Sequence, residues 1–365
     1  MSKYSFLEKN NLKIEYDISV IIPTLNRPKV LLAQIGSLVR CFNQIKPDIC
    51  IQILISENNP DIDKTVDKEK LDLVIKKNLN PKNISFVFIK RTSRLSLGEH
   101  MNFLSRSVNC HWIMWIGDDD LLSSAYLKYL TDTIKSDDKN IQCVFPVRFG
   151  PNGDKRNQGI SEYKFFKYAD NEEIIDKKII VKRYSYNIND LPYIINRGTQ
   201  LSGILYRKEI IDKGNIALPK DNLFPWICYQ VEAIKNGTIL SVDGYHVKIT
   251  SDTPKLFSYR KDGLLPEISE AIISGFANDR KAGTYFASEI IKTFAYWRIF
   301  KTAKTGIGSL KNYIFSITHR KTDVKVFFLV LPKIIKMSFY HDLVHSFPKL
   351  YGLLKTIKKI ISDEK

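Results

Sequence analysis

Three consecutive carboxylates, Asp118, Asp119 and Asp120, follow the apolar run His111 to Ile116 (HWIMWI) with only Gly117 between. Neighbouring carboxylates repel one another unless a cation or hydrogen bonds offset their charge. Such a cluster suits Mg2+ or Mn2+, hard ions that take one or two carboxylates and fill their shell with substrate phosphates. A metal there would bridge a diphosphate and stabilise the negative charge that builds on it as it departs. The structural alternative is capping by Asp120 or Ser123 of a following helix, whose N-terminus favours acids.

Two further polar clusters carry usable chemistry. Pro23-Thr24-Leu25-Asn26-Arg27-Pro28 joins a strand pattern to a helix pattern, and its N–H groups make a seat for an anion or nucleotide. Arg27 suits pairing with a phosphate; the plainer reading is an Asn/Pro turn. Ser56-Glu57-Asn58-Asn59 offers a carboxylate and amides to a base or ribose, or is ordinary loop chemistry. No G-x-x-x-x-G-K-[ST], no strand-following G-x-G-x-x-G and no G-x-S-x-G is present, which argues against a P-loop kinase, a dinucleotide dehydrogenase and a nucleophile-elbow hydrolase.

The elements that must position these clusters are legible. Ile18 to Ile22, Ile49 to Ile55, Ile84 to Ile89 and His111 to Ile116 are short apolar, β-rich runs of the kind buried on both faces of a parallel sheet. Pro28 opens a helix in which Leu31, Ile35, Leu38, Val39, Phe42 and Ile45 recur at helical steps, and Gly98 to Val108 and Ser123 to Ile134 also read as helices. Later strands fall at Ile141 to Val147, Leu201 to Tyr206 and Thr238 to Val247, with helices over 207–213 and 225–235. This alternation predicts an α/β fold with an open, mostly parallel, Rossmann-like sheet flanked by helices. Ligands of such sheets sit outside the carboxyl ends of the strands, so the polar clusters converge on one rim.

Composition sets the outer bounds. The chain of 365 residues is 44% hydrophobic and 26% charged, as expected of a globular protein with a substantial core. Its 56 Lys and Arg against 39 Asp and Glu give a net charge of +17, which implies an anionic partner: nucleic acid, anionic lipid or a phosphate-bearing ligand. Five scattered cysteines fit reduced thiols in a cytosolic protein. The N-terminal segment lacks an apolar signal core and no run is long enough to span a bilayer, so a soluble or peripheral protein is expected.

Ser19-Val-Ile-Ile-Pro-Thr-Leu-Asn-Arg-Pro28, Ser56-Glu57-Asn58, Leu97-Gly98-Glu-His-Met-Asn102 and Trp115-Ile-Gly-Asp-Asp-Asp120, in that order, resemble the family 2 glycosyltransferases of the GT-A fold. The resemblance covers about the first 150 residues and extends loosely to about residue 250. The Gly-Asp-Asp-Asp form is similar to the abequosyltransferase-like branch, which adds a sugar in bacterial surface-polysaccharide (O-antigen or capsule) assembly. The resemblance implies inverting transfer from a nucleoside-diphosphate sugar to a lipid-linked or other oligosaccharide acceptor. It gives Pro23, Thr24, Asn26, Arg27 and Glu57 nucleotide contacts, sets Gly98 and Asn102 beside the donor, and turns Asp118 to the nucleotide sugar. Asp119 and Asp120 become the ligands of Mn2+ or Mg2+; Gly117 stands where the first Asp of the family's Asp-x-Asp motif usually lies. The family's general base lies in an acidic pair about a dozen residues before a Gly. Counting back from Gly237 reaches Pro225-Trp226, so Asp221 is assigned that role, with Glu232 as the alternative.

The expected organisation is a GT-A domain over 1–263, with a nucleotide-sugar half to 150 and an acceptor-side half from 151, then a basic helical region over 264–365. Residues 281–365 hold 16 Lys and Arg against 5 Asp and Glu. Phe294, Tyr296, Trp297 and Phe300, then Val326 to Leu331, then Leu350, Leu353, Leu354, Ile357, Ile360 and Ile361 interleave with those charges. The functional reading is a basic amphipathic surface held to the inner face of the cell membrane; the alternative is helices packed on the catalytic domain. No nucleic-acid module is recognised, and no nucleic-acid partner is expected. The competing functions are a Mg-dependent nucleotidyltransferase on a similar sheet and a non-catalytic protein that binds anionic lipid or nucleic acid.

Overall fold

The structure, a computed structural model, describes residues 16–58, 66–78, 82–149, 180–185, 194–195, 198–213, 216, 218–249, 265–276, 278–295, 306–319 and 324–346. Its first half alternates strand and helix: β1 (Tyr16–Thr24), α1 (Pro28–Ile45), β2 (Ile51–Glu57), α2 (Lys68–Asn78), β3 (Ile84–Lys90), α3 (Leu97–Arg106), β4 (Cys110–Trp115), β5 (Asp120–Leu122), α4 (Ser124–Ser136) and β6 (Ile141–Phe149). Then come β7 (Ile180–Tyr184), β8 (Ile204–Arg207), α5 (Lys208–Lys213), α6 (Ile227–Asn236) and β9 (Thr238–Ile249). Four helices follow: α7 (Leu265–Gly275), α8 (Arg280–Ala295), α9 (Gly306–His319) and α10 (Val324–Ser346).

Nine strands form one sheet in the order β3-β2-β1-β4-β8-β6-β9-β5, with β7 also on β9. β1 to β4 are mutually parallel, and β6 pairs parallel with β9. β8, β5 and β7 run the opposite way. The carboxyl ends of β1, β2, β3 and β4 therefore share one edge.

Alternation within β1 divides the core. Ile18, Val20 and Ile22 pack with α1, α2 and α4 on one face, whereas Ile21 joins a cluster on the other face with α3 and α5 to α8. That second cluster continues without a break through Tyr313 of α9 to Val326, Val330 and Ile334 of α10. Each fully buried aliphatic side chain is worth roughly 1.5–3 kcal/mol, so the described C-terminal helices are held by the same core as the sheet.

Local signals account for the helix starts near the rim. Pro28 stands in the first turn of α1, and Leu31, Ile35, Leu38 and Phe42 form its buried stripe. α3 opens with a capping box, in which Ser96 Oγ accepts from the Glu99 N–H and Glu99 Oε2 accepts from the Ser96 N–H. Ser123, not Asp120, caps α4, accepting from the Tyr126 N–H.

Three elements have no counterpart in the sequence expectation: α2, β7 and β5. β5 is only three residues long and exists because Asp120, Leu121 and Leu122 pair with Ile249, Lys248 and Val247. Asp120 is thereby a strand residue rather than part of a helix-leading turn. Tyr296, Trp297, Phe300 and the basic segment from Leu350 to Ile361 lie outside the described residues, as does most of 151–193.

Candidate active site

β1 ends at Thr24, and the chain turns through Asn26, whose φ of 58° is the left-handed conformation that Asn tolerates. The turn delivers Arg27 to the start of α1 with its guanidinium directed at the end of β4. There Asp118 is 5% exposed and fully engaged: Thr24 Oγ1 donates to Oδ2 at 2.7 Å and Arg27 Nη1 to Oδ1 at 2.7 Å. Arg27 Nη2 donates to Asp119 Oδ2 at 2.9 Å. One guanidinium thus ties together two of the three aspartates.

Burial pushes the Asp118 carboxyl above its ordinary value, against the pull of Arg27 and Thr24. Burial also opposes the Arg27 charge, but Asp118 and Asp119 outweigh it and raise the arginine's pKa. The three acids and one Arg leave the group net negative, an environment that favours a cation.

Asp120 is held by a residue far away in sequence. Ser202, just ahead of β8, donates from Oγ to Asp120 Oδ2 and accepts from the Gly117 N–H at 2.8 Å. Gly203 fixes this segment. Its φ of +81° needs glycine, its N–H donates to Trp115 O at 2.8 Å, and its carbonyl accepts from Tyr126 Oη at 2.6 Å. Around the missing side chain of Gly117 three oxygens converge. A Cβ built there would lie 3.2 Å from Asp120 Oδ2, 3.2 Å from Ser202 Oγ and 3.3 Å from Asp119 Oδ1. An all-oxygen cradle of two carboxylates and a hydroxyl fits Mg2+ or Mn2+. Among the described residues no group of three or more His, Cys, Asp or Glu could hold a metal. A cation at this cradle therefore needs oxygens from a ligand as well.

Glu57 stands on the same edge but makes different contacts. Although it pairs in register with Thr24, it is fully buried, and both carboxylate oxygens accept from the Val66 N–H, at 3.1 and 3.2 Å. Burial raises its pKa, with Val66 and Lys90 pulling the other way. Its visible work is to anchor the chain entering α2. Asn58 braces the rim instead: its N–H donates to Thr24 O at 2.9 Å, and its side chain both donates to Leu95 O and accepts from the Leu95 N–H. Ser56 bonds His100 Nε2 at 2.8 Å, and burial, with the Arg91 charge, lowers the His100 pKa to about 4. His100 is thus the neutral imidazole that holds α3 to β2.

Gly98 connects this rim to Asp221. Its N–H donates to Lys220 O at 3.2 Å, and a Cβ there would run into the Pro219 carbonyl oxygen while lying 3.0 Å from Pro219 C. Lys220 also pairs with Glu99 at 2.7 Å. Asn222 ties the far side of the loop to α7, donating to Glu267 O and Glu270 Oε2, each at 2.7 Å. Asp221 itself is exposed in the turn between these two anchors. Asn102 is half-buried in the middle of α3. Glu232 is engaged near the end of α6, pairing with Lys235 and accepting from Asn236 Nδ2, each at 2.8 Å.

The structure therefore brings together Thr24, Arg27, Asp118, Asp119 and Asp120, and couples Gly98 to the Asp221 loop. It keeps Glu57 and Glu232 in other work. Ser202 and His100 are the participants that sequence reasoning missed, and Asn58, whose amide the sequence offered to a base or ribose, braces the rim through Leu95. Ser202 has no local signal at all; Asn58 and His100 stand inside the recognised motifs, but their contacts are tertiary.

The fold of this chain has solved counterparts. The structure of S. aureus TarS 1-349 in complex with UDP-GlcNAc matches with a TM-score of 0.56 at 13% identity, covering 90% of this chain and 91% of that one. TarS 1-349 without a named ligand matches with a TM-score of 0.53 at 14% identity, over 91% and 92% of the two chains. The complex of the same protein with UDP gives 0.50 at 15% identity, over 91% and 92%. At such identities the likeness establishes the GT-A fold. No curated protein matches the sequence. The family profile described as Glycosyl transferase family 2 matches residues 19–213, more than half the chain, which includes Thr24, Arg27, the aspartates and Ser202 but ends before Asp221. That match sets aside both the nucleotidyltransferase and the non-catalytic reading: the chain belongs to glycosyl transferase family 2 and is a glycosyltransferase.

Proposed function

We propose that the enzyme transfers a sugar, with inversion at its anomeric carbon, from a nucleoside diphosphate to a lipid-linked saccharide in bacterial O-antigen or capsule assembly. The observation that carries the donor half is the buried Asp118, held by Thr24 and Arg27 at the ends of β4 and β1 beside the Gly117 oxygen cradle. The nucleotide lies along the Pro23–Arg27 turn, with Asp118 toward its sugar and Gly98 and Asn102 beside the donor. TarS, solved with UDP-GlcNAc and with UDP, makes uridine nucleotides the first donors to test.

Asp119 and Asp120 are the residues that would hold Mn2+ or Mg2+, which when bound offsets the charge growing on the departing diphosphate. Arg27 occupies one oxygen of Asp119 and is the group that shifts toward phosphate when a donor arrives. Asp221 takes the proton of the acceptor hydroxyl as its oxygen bonds to the anomeric carbon. The sugar–phosphate bond breaks on the opposite side and the nucleoside diphosphate leaves. General-base assistance of this kind is worth ~10²–10⁴-fold. The acceptor half rests on the resemblance to the polysaccharide-assembling branch and on the positive charge of the C-terminal region, which suits an anionic cytoplasmic membrane face.

Thermal-shift screening of UDP, CDP, GDP and dTDP sugars with Mn2+, followed by release of nucleoside diphosphate, tests the donor reading, since a ligand that binds only the folded form raises apparent stability. Asp120→Asn should abolish the metal-stimulated release. Asp221→Asn should lower turnover with nucleotide binding retained. Full activity in chelator, or no shift with any donor, overturns the reading.

A further inference from the structure

The outward face of α10 is unusual for a helix attached to a catalytic core. Its inner side, Val326, Val330 and Ile334, is buried in the shared cluster. Its outer side carries Val324, Phe328, Ile335 and Phe339, exposed at 61%, 63%, 49% and 73%. Their spacings of four, seven and four place them on one stripe along the helix. Leu329 and Tyr340 extend the apolar surface, and exposed Lys325, Lys333 and Lys336 flank it. α9 packs antiparallel alongside. The start of α9, at Gly306, abuts the Ser338 backbone, and Tyr313 stacks on Phe327 at 5.8 Å. α9 adds exposed Ile307 and Ile314 with exposed Lys311 midway between them.

Charge decides what covers this face. Asp342 is the single acid of α10, and it is turned onto the start of α9, accepting from the Gly306 N–H at 2.5 Å and the Ile307 N–H at 3.3 Å. Within α10 the stripe therefore has lysines beside it, and the helix's one acid is turned away from it. A two-fold contact with a second copy would set the same lysines against themselves. An anionic surface complements them, and none of the described helices is long and apolar enough to cross a bilayer. An apolar stripe with a basic flank on a helix that does not span is the pattern of a segment lying in the membrane interface.

We propose that the outer face of the α9–α10 hairpin docks on an anionic bilayer, seating Val324, Phe328, Ile335 and Phe339 among acyl chains while Lys325, Lys333 and Lys336 meet headgroup phosphates. This deepens the proposed function, on whose lipid-borne acceptor its purpose rests; the binding itself is independent of catalysis. Deleting the C-terminal region cannot test it, because Val326, Val330 and Ile334 belong to the core.

The test uses the full chain and point substitutions on solvent-facing atoms. Flotation is measured with vesicles of phosphatidylcholine alone and with about one-third phosphatidylglycerol, whose charge attracts basic segments. Wild type floats with the anionic vesicles and stays down with the neutral ones. Phe328→Ser/Phe339→Ser and Lys333→Glu/Lys336→Glu each lower binding at least about tenfold, and added salt weakens the wild type. Donor turnover without vesicles remains at wild-type level in both variants, which separates lost docking from lost folding. Equal flotation of wild type and both variants, or none by wild type, overturns the proposal. So does a wild-type dimer in sedimentation velocity that Phe328→Ser/Phe339→Ser returns to monomer. Vesicle binding without donor turnover in the wild type strikes the proposed function and leaves the docking surface standing.

Discussion

Gly98→Ala and Gly36→Ala are the same chemical change in two helices, and the structure demands opposite outcomes. In α1, a Cβ on Gly36 would meet only Arg40 Nη1 at 3.8 Å and Val74 Cγ1 at 3.9 Å, ordinary contact distances. Alanine there should stabilise by about 0.5–1 kcal/mol through helix propensity. In the first turn of α3, a Cβ on Gly98 would collide with the Pro219 carbonyl oxygen, at 3.0 Å from Pro219 C and 3.3 Å from Lys220 Cα. These are backbone atoms and have no rotamer to escape into. Overpacking of this kind costs typically 1–3 kcal/mol, more than the propensity gain, so Gly98→Ala should be net destabilising. The strain falls on the loop that carries Asp221, the proposed base, and a displacement of ~1 Å at a reacting group costs on the order of 10²-fold in rate. Thermal unfolding and nucleoside diphosphate release, run in parallel, read both effects. Gly98→Ala should lose a few degrees in Tm, at roughly 2 °C per kcal/mol for a chain of this size, and one to two orders of magnitude in kcat with donor affinity nearly intact. Gly36→Ala should gain a degree or two and keep full activity. Wild-type Tm and kcat in Gly98→Ala would refute the claim that this helix start and the Asp221 loop are in fixed contact.

Other perturbations follow from the same geometry. Arg27→Met strands Asp118, whose side chain is 7% exposed; urea unfolding should show a loss of about 2–3 kcal/mol, at the low end for a broken buried pair because Arg27 keeps some solvent contact. Ser202→Ala removes the acceptor of the Gly117 N–H and the donor to Asp120, and should raise the Mn2+ concentration for half-maximal turnover about 10–100-fold, the scale of an outer-shell loss; unchanged metal dependence would separate Ser202 from the cradle. His100 titrates at 6.5 unfolded and about 4 folded. Between those values the unfolded chain binds the extra proton, so stability falls as pH drops through this window, by about 2 kcal/mol from pH 7 to 5. His100→Gln should flatten that part of the urea-derived stability profile, and a slope identical to wild type would show that another group carries it.

Much of the scaffold was readable in advance because its signals are local. β-branched apolar runs bounded by Pro, Asn and Asp mark β1, β2 and β4, and a helical stripe after Pro28 marks α1. Parallel packing then puts their polar ends on one edge, so Thr24, Arg27 and the aspartates could be grouped before any coordinates. The family resemblance, carried by motifs in residues 19–120, falls within the matched span of residues 19–213.

What each side chain does within that group was not local. The sequence alone fixes that Glu57 ends a buried strand; whether it faces a ligand or the Val66 N–H depends on how the following loop returns. Likewise β5 forms only because Ile249 arrives beside Asp120, and Ser202 completes the cradle across more than eighty residues of chain. The sequence by itself determined the strands, the principal helices of the sheet, the excess of positive charge and the aspartate triplet, since these follow from periodicity and composition. Tertiary structure decided which carboxylates meet Arg27, which glycine bears on the Asp221 loop and which face of α10 is left apolar, because pairing and burial are settled by contacts between distant segments that carry no mark in either one alone.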